Sequence, residues 1–238
     1  MEKKMKIEVW SDVMCPFCYI GKRRYEASLA DLPFADQIEL EWKSYQLNPT
    51  LETNLDITTY DYLAENKGMS VAQAKAMTAQ VAEMAKTVGL DYDFDKAVVA
   101  NSFRAHEFSH FAKTFGKQDE AEELLFKAYF TEGKNVDDIG VLQELAAALG
   151  LDTAGLAKAL EAGQYRDAVR EDLYEAQQLG VRGVPFFVYN RKYAISGAQD
   201  VDVFKQTMEK AFTEWRKENP ASPFEVIEGP SCGPEGCE

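Results

Sequence analysis

Apolar positions in this chain fall into two rhythms. Short runs or loose alternations mark strands, and recurrence at every third or fourth residue marks helices. Met5 to Trp10 reads as a strand, and residues 15–30 read as a helix that stops before Asp31-Leu32-Pro33. Residues 38–46 carry Ile38, Leu40 and Trp42 in loose alternation and read as a second strand. Asn48-Pro49 ends it, because a residue before proline is pushed out of the helical and into the extended region. From about residue 58 to 180 the rhythm becomes helical throughout. Ser70 caps a run from Val71 to Val88 that Gly89 closes. Further amphipathic runs cover Phe94 to Phe115, Asp119 to Phe130, Val136 to Leu149, Thr153 to Ala162 and Tyr165 to Leu179. Strand character returns at 184–189 and 192–196, a predicted hairpin turning at Asn190-Arg191, and a last helix covers Val201 to Trp215. The remainder, to Glu238, is rich in Pro, Gly, Ser and Glu, has no period and reads as an extended arm. No internal repeat is present.

Composition narrows the class. The 238 residues, 46% hydrophobic and 28% charged, suit a globular protein with a sizeable core, as one large domain or a domain with an insertion. The formal net charge of −14 argues against nucleic acid and anionic membrane surfaces as partners. No apolar run reaches the length of a membrane span. Met1-Glu2-Lys3-Lys4-Met5-Lys6 is basic but has no apolar signal core behind it, so a cytoplasmic location is expected. Cysteines in that compartment are more often catalytic or metal-binding than structural.

Cys15-Pro16-Phe17-Cys18 stands between the first strand and the first helix. Two thiols three residues apart at a helix start can pass between dithiol and disulfide with little backbone movement. Unpaired N–H groups and the helix dipole favour a thiolate at Cys15. Pro16 fits the first turn, where a missing N–H costs nothing. Cys18 lies one turn further in, placed to attack a mixed disulfide at Cys15. A bare CxxC also serves zinc sites or an inert structural pair. The zinc reading needs two more ligands. The only other cysteines are Cys232 and Cys237, and the only histidines His106 and His110. A strand running directly into Cys-Pro-x-Cys and a helix is a thioredoxin-like arrangement. Gly183-Val184-Pro185 then precedes a β-rich run, where such folds set a cis-proline against the cysteines. The alternative is an ordinary trans proline opening an edge strand.

These segments together resemble the DsbA-like thioredoxin-fold oxidoreductases, and most closely their FrnE subgroup. The resemblance spans nearly the whole chain. It rests on Ser11-Asp12-Val13-Met14-Cys15-Pro16-Phe17-Cys18-Tyr19-Ile20-Gly21 and Tyr45-Gln46-Leu47-Asn48-Pro49. It rests further on Asn101-Ser102 with Ala105-His106, on Gly180 to Phe187, and on Ile195-Ser196-Gly197-Ala198-Gln199. It implies an α/β, thioredoxin-like fold with a large all-helical insertion. Residues 1–57 and 181–217 would form the split domain, 58–180 the insertion and 218–238 the tail. It implies a thiol–disulfide oxidoreductase or isomerase acting on protein or small-molecule disulfides, with Cys15 as nucleophile and Cys18 as resolving thiol. Glutathione is a possible co-substrate, and no metal or other cofactor is implied. Related glutathione-dependent isomerases and kappa-class transferases share the insertion and the proline motif. They typically carry serine at the position of Cys15 and lack the second thiol. A redox-controlled chaperone or metal-capturing protein is a third class to weigh.

The remaining candidates follow from that likeness. Pro16 and Phe17 would border the substrate. Phe17 offers Cys15 neither charge nor donor, so a weaker oxidant than the strongest family members is expected. Pro185 would shield the sulfurs, and Val184 would offer its backbone to an extended substrate strand, unless it is merely core. Asn101 and His106 match the family pattern and would contribute near the active site. His106 and His110, spaced i and i+4, share a helix face and are either a metal pair or packed side chains. Phe103, Phe108, Phe111 and Phe115 read mainly as core, with an apolar peptide groove as the alternative. Cys232 and Cys237 bracket Gly233-Pro234-Glu235-Gly236, a turn tight enough for an intrachain bond. The arm from Lys217 to Ser231 can span on the order of 50 Å when extended. The tail pair would then be a second redox pair exchanging with the first, a simple disulfide or a metal ligand set.

Overall fold

The computed structural model describes residues 3–30, 32–220 and the backbone of 232–233 and 236–237. β1 (Met5–Ser11) leads into α1 (Pro16–Ala30) and, after a 3-10 turn at Ala35–Gln37, into β2 (Ile38–Ser44). Next come β3 (Asn54–Thr58), α2 (Thr59–Lys67), α3 (Val71–Lys86), β4 (Val98–Val99), α4 (Phe103–Lys113) and α5 (Gln118–Phe130). α6 (Ile139–Ala148), α7 (Thr153–Ala162) and α8 (Arg166–Gln178) return the chain to β5 (Phe186–Tyr189), β6 (Tyr193–Ser196) and α9 (Val201–Glu218). The tail contributes the two-residue strands β7 (Cys232–Gly233) and β8 (Gly236–Cys237).

The main sheet has the order β2-β1-β5-β6, with β1 parallel to β2 and antiparallel to β5. β1 is central, so every residue of it except Lys6 is buried. Alternation then divides its side chains between two layers. Ile7 and Val9 join Phe187 and Tyr189 on the face covered by α1 and α9. There Phe187 meets Tyr25 of α1 at 5.8 Å and Phe204 of α9 at 4.9 Å. Trp10 and Val188 point the other way and pack with Ala176 of α8. Gln118, the first residue of α5, bonds both the N–H and the C=O of Trp42 at 3.2 and 3.0 Å, which closes the open edge of β2.

Local signals account for most element ends. Ser70 and Gln73 form a reciprocal capping box at α3, and Thr58 with Asp61 does the same at α2. Asn190 and Arg191 both take positive φ, 47° and 54°, in the three-residue connection between β5 and β6, where the Lys192 N–H bonds the Tyr189 carbonyl at 3.0 Å.

Three expectations need correction. The helix expected over Phe94 to Phe115 begins only at Phe103. The Asn101 carboxamide accepts the Phe103 N–H at 2.8 Å, and Val98–Val99 is spent pairing with β3. The run from Val136 begins as a helix only at Ile139, because Asp138 caps it through the Val141 N–H at 3.1 Å. The boundary expected at 57/58 falls inside β3, which pairs with β4 within the helical part. One continuous apolar core joins the sheet to the helices.

Candidate active site

The site forms where β1 ends and α1 begins. Asp12 turns the chain: its carbonyl accepts the Cys15 N–H at 2.9 Å and its carboxylate the Met14 N–H at 3.3 Å. Pro16 is the first residue of α1, and the Cys18 N–H bonds the Cys15 carbonyl at 2.9 Å. Both cysteines are free thiols. They differ in access: Cys15 is 4% exposed and Cys18 0%. Burial pushes the Cys18 thiol well up, and the adjacent Cys15 adds to the shift, while Ser11 and the Asp12 backbone act in the opposite sense. Cys18 is therefore held as a protonated thiol behind its partner.

Val184 and Pro185 arrive from the far end of the chain. Their peptide bond is cis, and the Cys15 Sγ lies 3.4 Å from the Val184 carbonyl, to which the thiol donates. Pro185 is buried and Val184 half-buried. Gly21 is what allows this approach. A Cβ there would stand 2.9 Å from the Pro185 ring, too close for any real side chain. Phe17 projects outward and is exposed, and Pro16 is half-buried. Behind them the Tyr92 hydroxyl donates to the Pro16 carbonyl at 2.8 Å.

Asn101 and His106 make no hydrogen bond to Cys15, Cys18, Val184 or Pro185. The Asn101 carboxamide accepts from Gln46 at 3.0 Å and from Phe103, and donates to the Leu51 carbonyl at 2.6 Å. It brackets the segment after β2 to the start of α4. His106 is 2% exposed; its Nε2 lies 2.9 Å from the Tyr45 carbonyl and 3.6 Å from the Asp12 carboxylate. Burial opposes its protonation, but Asp12, Glu122 and the Tyr45 carbonyl outweigh that and hold its pKa above the ordinary value. Asp12 also accepts the Leu47 N–H at 2.7 Å. Both residues expected to bind substrate thus belong to a frame that clamps the Asp12 turn against residues 45–47.

His110 engages Asp172 at 2.9 Å, away from His106, so the two histidines are packed separately. Phe108 and Phe111 are core, Phe103 is half-buried and Phe115 exposed. Among the described residues no group of three or more His, Cys, Asp or Glu side chains is arranged to hold a metal ion. Cys232 and Cys237 face each other as backbone partners in the β7–β8 hairpin. Their side chains lie outside the described residues. Sequence reasoning missed Asp12, Gly21 and Tyr92 as site residues. Asp12 had a signal, an acid at the end of an apolar strand beside CxxC. Tyr92 had none, because its contact is 76 positions away.

A model of the DSBA-like thioredoxin domain matches residues 6–209. YwbO of Bacillus subtilis is 31% identical over 214 residues, covering 89% of this chain and 97% of that protein. The crystal structure of a probable DsbA oxidoreductase from Streptomyces coelicolor superposes with a TM-score of 0.82 at 35% identity, over 98% of both chains. Cytosolic disulfide reductase DsbM of Pseudomonas aeruginosa, also known with glutathione, shares the fold with a TM-score of 0.60 at 15% identity, over 90% of this chain and 98% of that one. Among the described residues no helix is long and apolar enough to cross a membrane.

Proposed function

The chain belongs to the DSBA-like thioredoxin domain family, and from that premise we propose that Cys15 and Cys18 carry out dithiol–disulfide exchange on protein or small-molecule disulfides. The observation that carries this reading is the asymmetry of the pair: Cys15 at the helix start beside Val184 and Pro185, and Cys18 buried and protonated behind it. As a reductase, the Cys15 thiolate attacks a substrate disulfide. A mixed disulfide forms and one substrate thiolate leaves. Cys18 gives up its proton and attacks the Cys15 sulfur. The second substrate thiolate departs, and a Cys15–Cys18 disulfide remains. Two electrons pass from the protein dithiol to the substrate, and two protons end on the product thiols. The reverse sequence oxidises a substrate dithiol.

Pro16, Phe17, Val184 and Pro185 are the residues we assign to the substrate contact. An extended segment would lie along the Val184 backbone and be gripped by the exposed Phe17 ring. Glutathione is the reductant we propose; the structure of DsbM, a protein of the same fold, is known with glutathione. We also propose a cytoplasmic setting and, from the quoted segments, the FrnE subgroup. We assign Cys232 and Cys237 to re-oxidation or protection of the first pair. The arm before them is long enough for that role, on the order of 50 Å.

Reduction of insulin disulfides, coupled to glutathione or dithiothreitol, tests the whole scheme. Cys15→Ser is expected to lower turnover by at least about 100-fold. Cys18→Ser should accumulate a mixed disulfide with substrate at Cys15, visible by mass spectrometry. A Cys232→Ser/Cys237→Ser variant should keep the first exchange but slow re-oxidation. Undiminished turnover in Cys15→Ser overturns the assignment.

A further inference from the structure

Ser11 is the last residue of β1 and precedes the turn that carries Cys15. It is still held in the sheet: its register partner is Ser44 of β2, and its carbonyl accepts the Tyr45 N–H at 2.9 Å. Strand alternation therefore fixes the direction of its side chain. Ile7 and Val9 point to the face covered by α1, and Ser11, next in that series, follows them. The same face meets Cys18 in the first turn of α1, where the cysteine is wholly buried. The Asp12 carbonyl accepts the Cys15 N–H at 2.9 Å and so ties the start of the helix to the end of the strand.

The Ser11 hydroxyl has no task in the resting dithiol. The residue is 2% exposed, and its Oγ is buried with no hydrogen-bond partner among the described residues. A hydroxyl in that condition is disfavoured, because it has lost water and gained nothing in return. A methyl group would fill the same space without that cost. The hydroxyl does reach the Cys18 sulfur, where it favours the thiolate over the thiol. The Asp12 carboxylate, by contrast, is spent on the Met14 and Leu47 N–H groups. A serine O–H rotates freely and can turn its proton towards a charge that appears beside it. Hydrogen bonds to an ionised partner are the strong ones, and a water-excluded site strengthens them further.

We propose that Ser11 is a catalytic residue of the second exchange step, its hydroxyl donating to the Cys18 sulfur as that sulfur becomes a thiolate. The role rests on the dithiol–disulfide exchange assigned above to Cys15 and Cys18. In the mixed disulfide, Cys18 loses its proton to the substrate thiolate released in the first step. Its sulfur attacks the Cys15 Sγ. The Cys15–Cys18 bond forms, the bond from Cys15 to the substrate breaks, and the electron pair leaves on the second substrate sulfur. In the reverse direction a substrate thiolate attacks Cys15, and Cys18 departs as a thiolate facing the same hydroxyl. Ser11 thus speeds this step both ways. It leaves the first attack at Cys15 and the overall equilibrium unaltered, because Cys18 is protonated in the resting dithiol.

Rapid mixing of the full chain carrying Cys232→Ser and Cys237→Ser with dithiobis(nitrobenzoate) separates the two steps. Thionitrobenzoate is released first by Cys15, at a rate that rises with reagent concentration. It is released again by Cys18, at a rate that does not, and buffer takes the Cys18 proton. Ser11→Ala removes an oxygen that bonds to nothing in the dithiol, so its thermal midpoint should equal or exceed that of the parent. Its second phase should slow by about ten-fold, the loss of one hydrogen bond to a charged group, while its first phase and its equilibrium constant with glutathione stay within about two-fold. The proposal is overturned if the second phase is unchanged, if both phases slow together, or if the equilibrium constant moves as far as the rate. Cys18→Ser in the same background checks the underlying exchange separately. It should release a single equivalent, and release of two would show that the exchange itself is misassigned.

Discussion

Gly21 joins the two halves of the proposed redox site at the scale of a single residue. It lies in α1 one turn beyond Cys18, and the Pro185 ring packs where a side chain would start. A methyl group there would sit 2.9 Å from the Pro185 Cγ and 3.5 Å from the Phe187 ring. Neither neighbour can swing away, because Pro185 is cyclic and Phe187 is fully buried. Overpacking of this kind costs about 1–3 kcal/mol. Gly21→Ala is therefore expected to destabilise the fold by about that amount and to displace Val184 and Pro185 from Cys15. Insulin reduction should fall by more than the loss of folded protein explains. Equal activity per folded molecule, with folding followed by urea titration, would sink this account. Asp12 acts at the same scale through its backbone and side chain at once, setting Cys15 with the one and anchoring Leu47 with the other.

Among the elements, α8 packs on the sheet through Ala176 and is pinned to it by Asp172. Asp172 accepts the Ser44 N–H at 2.9 Å and the Lys43 ammonium at 3.0 Å, and faces His110 of α4 at 2.9 Å. Its carbonyl accepts the Trp10 indole N–H at 3.1 Å. Burial disfavours the charged carboxylate, but His110, the Ser44 amide and Lys43 outweigh it and hold its pKa below the ordinary value. A depressed carboxylate contributes stability that is present above its unfolded value, about 4, and is lost as the pH falls through the folded value. Asp172→Ala leaves Lys43 and His110 facing an empty, buried position. The expected cost at pH 7 is about 3–5 kcal/mol. Urea titrations of parent and variant should keep a constant gap from pH 7 to about 4 and converge only as the pH falls below that. A gap that stays constant below about pH 4 as well would show that Asp172 acts through packing alone.

Over the whole molecule, the core decides how the two parts unfold. Tyr19 of α1 stacks on Phe126 of α5 at 5.0 Å, and Tyr92 stacks on Phe130 at 4.6 Å, so aromatic rings carry the core from sheet to helices. Leu142 and Leu156 extend the same cluster into α6 and α7. Burial shared in this way couples the parts, because neither hides its apolar face without the other. Heating should therefore give one transition. Trp10, Trp42 and Trp215 report on the sheet and α9, while ellipticity at 222 nm reports mainly on α2 to α8. Midpoints from fluorescence and ellipticity are expected to coincide. Two separated midpoints would make the helical part an independent unit.

Much of this architecture was readable from the chain because its signals are local. The CxxC spacing, Pro16 at a helix start, the Ser70 cap and the Asn190-Arg191 turn each depend on neighbours within a few positions. The strand rhythm likewise placed β1 and β2, but gave no sign that Glu8 and Glu41 are buried in them. Local rhythm says that a face is buried and is silent on what buries it. For that reason nothing in the sequence shows that Asn101 and His106 bond to the segment after β2, which the packing of α4 reveals. The same holds for Phe103 as the true start of α4, which depends on β4 pairing with a strand more than 40 positions earlier. It holds too for Tyr92 on Pro16. The residue types and their spacing are what point to the chemistry proposed at Cys15 and Cys18. The tertiary structure decided which groups surround it, because contacts between distant segments arise from packing and closure of the core, and no neighbouring residue records them.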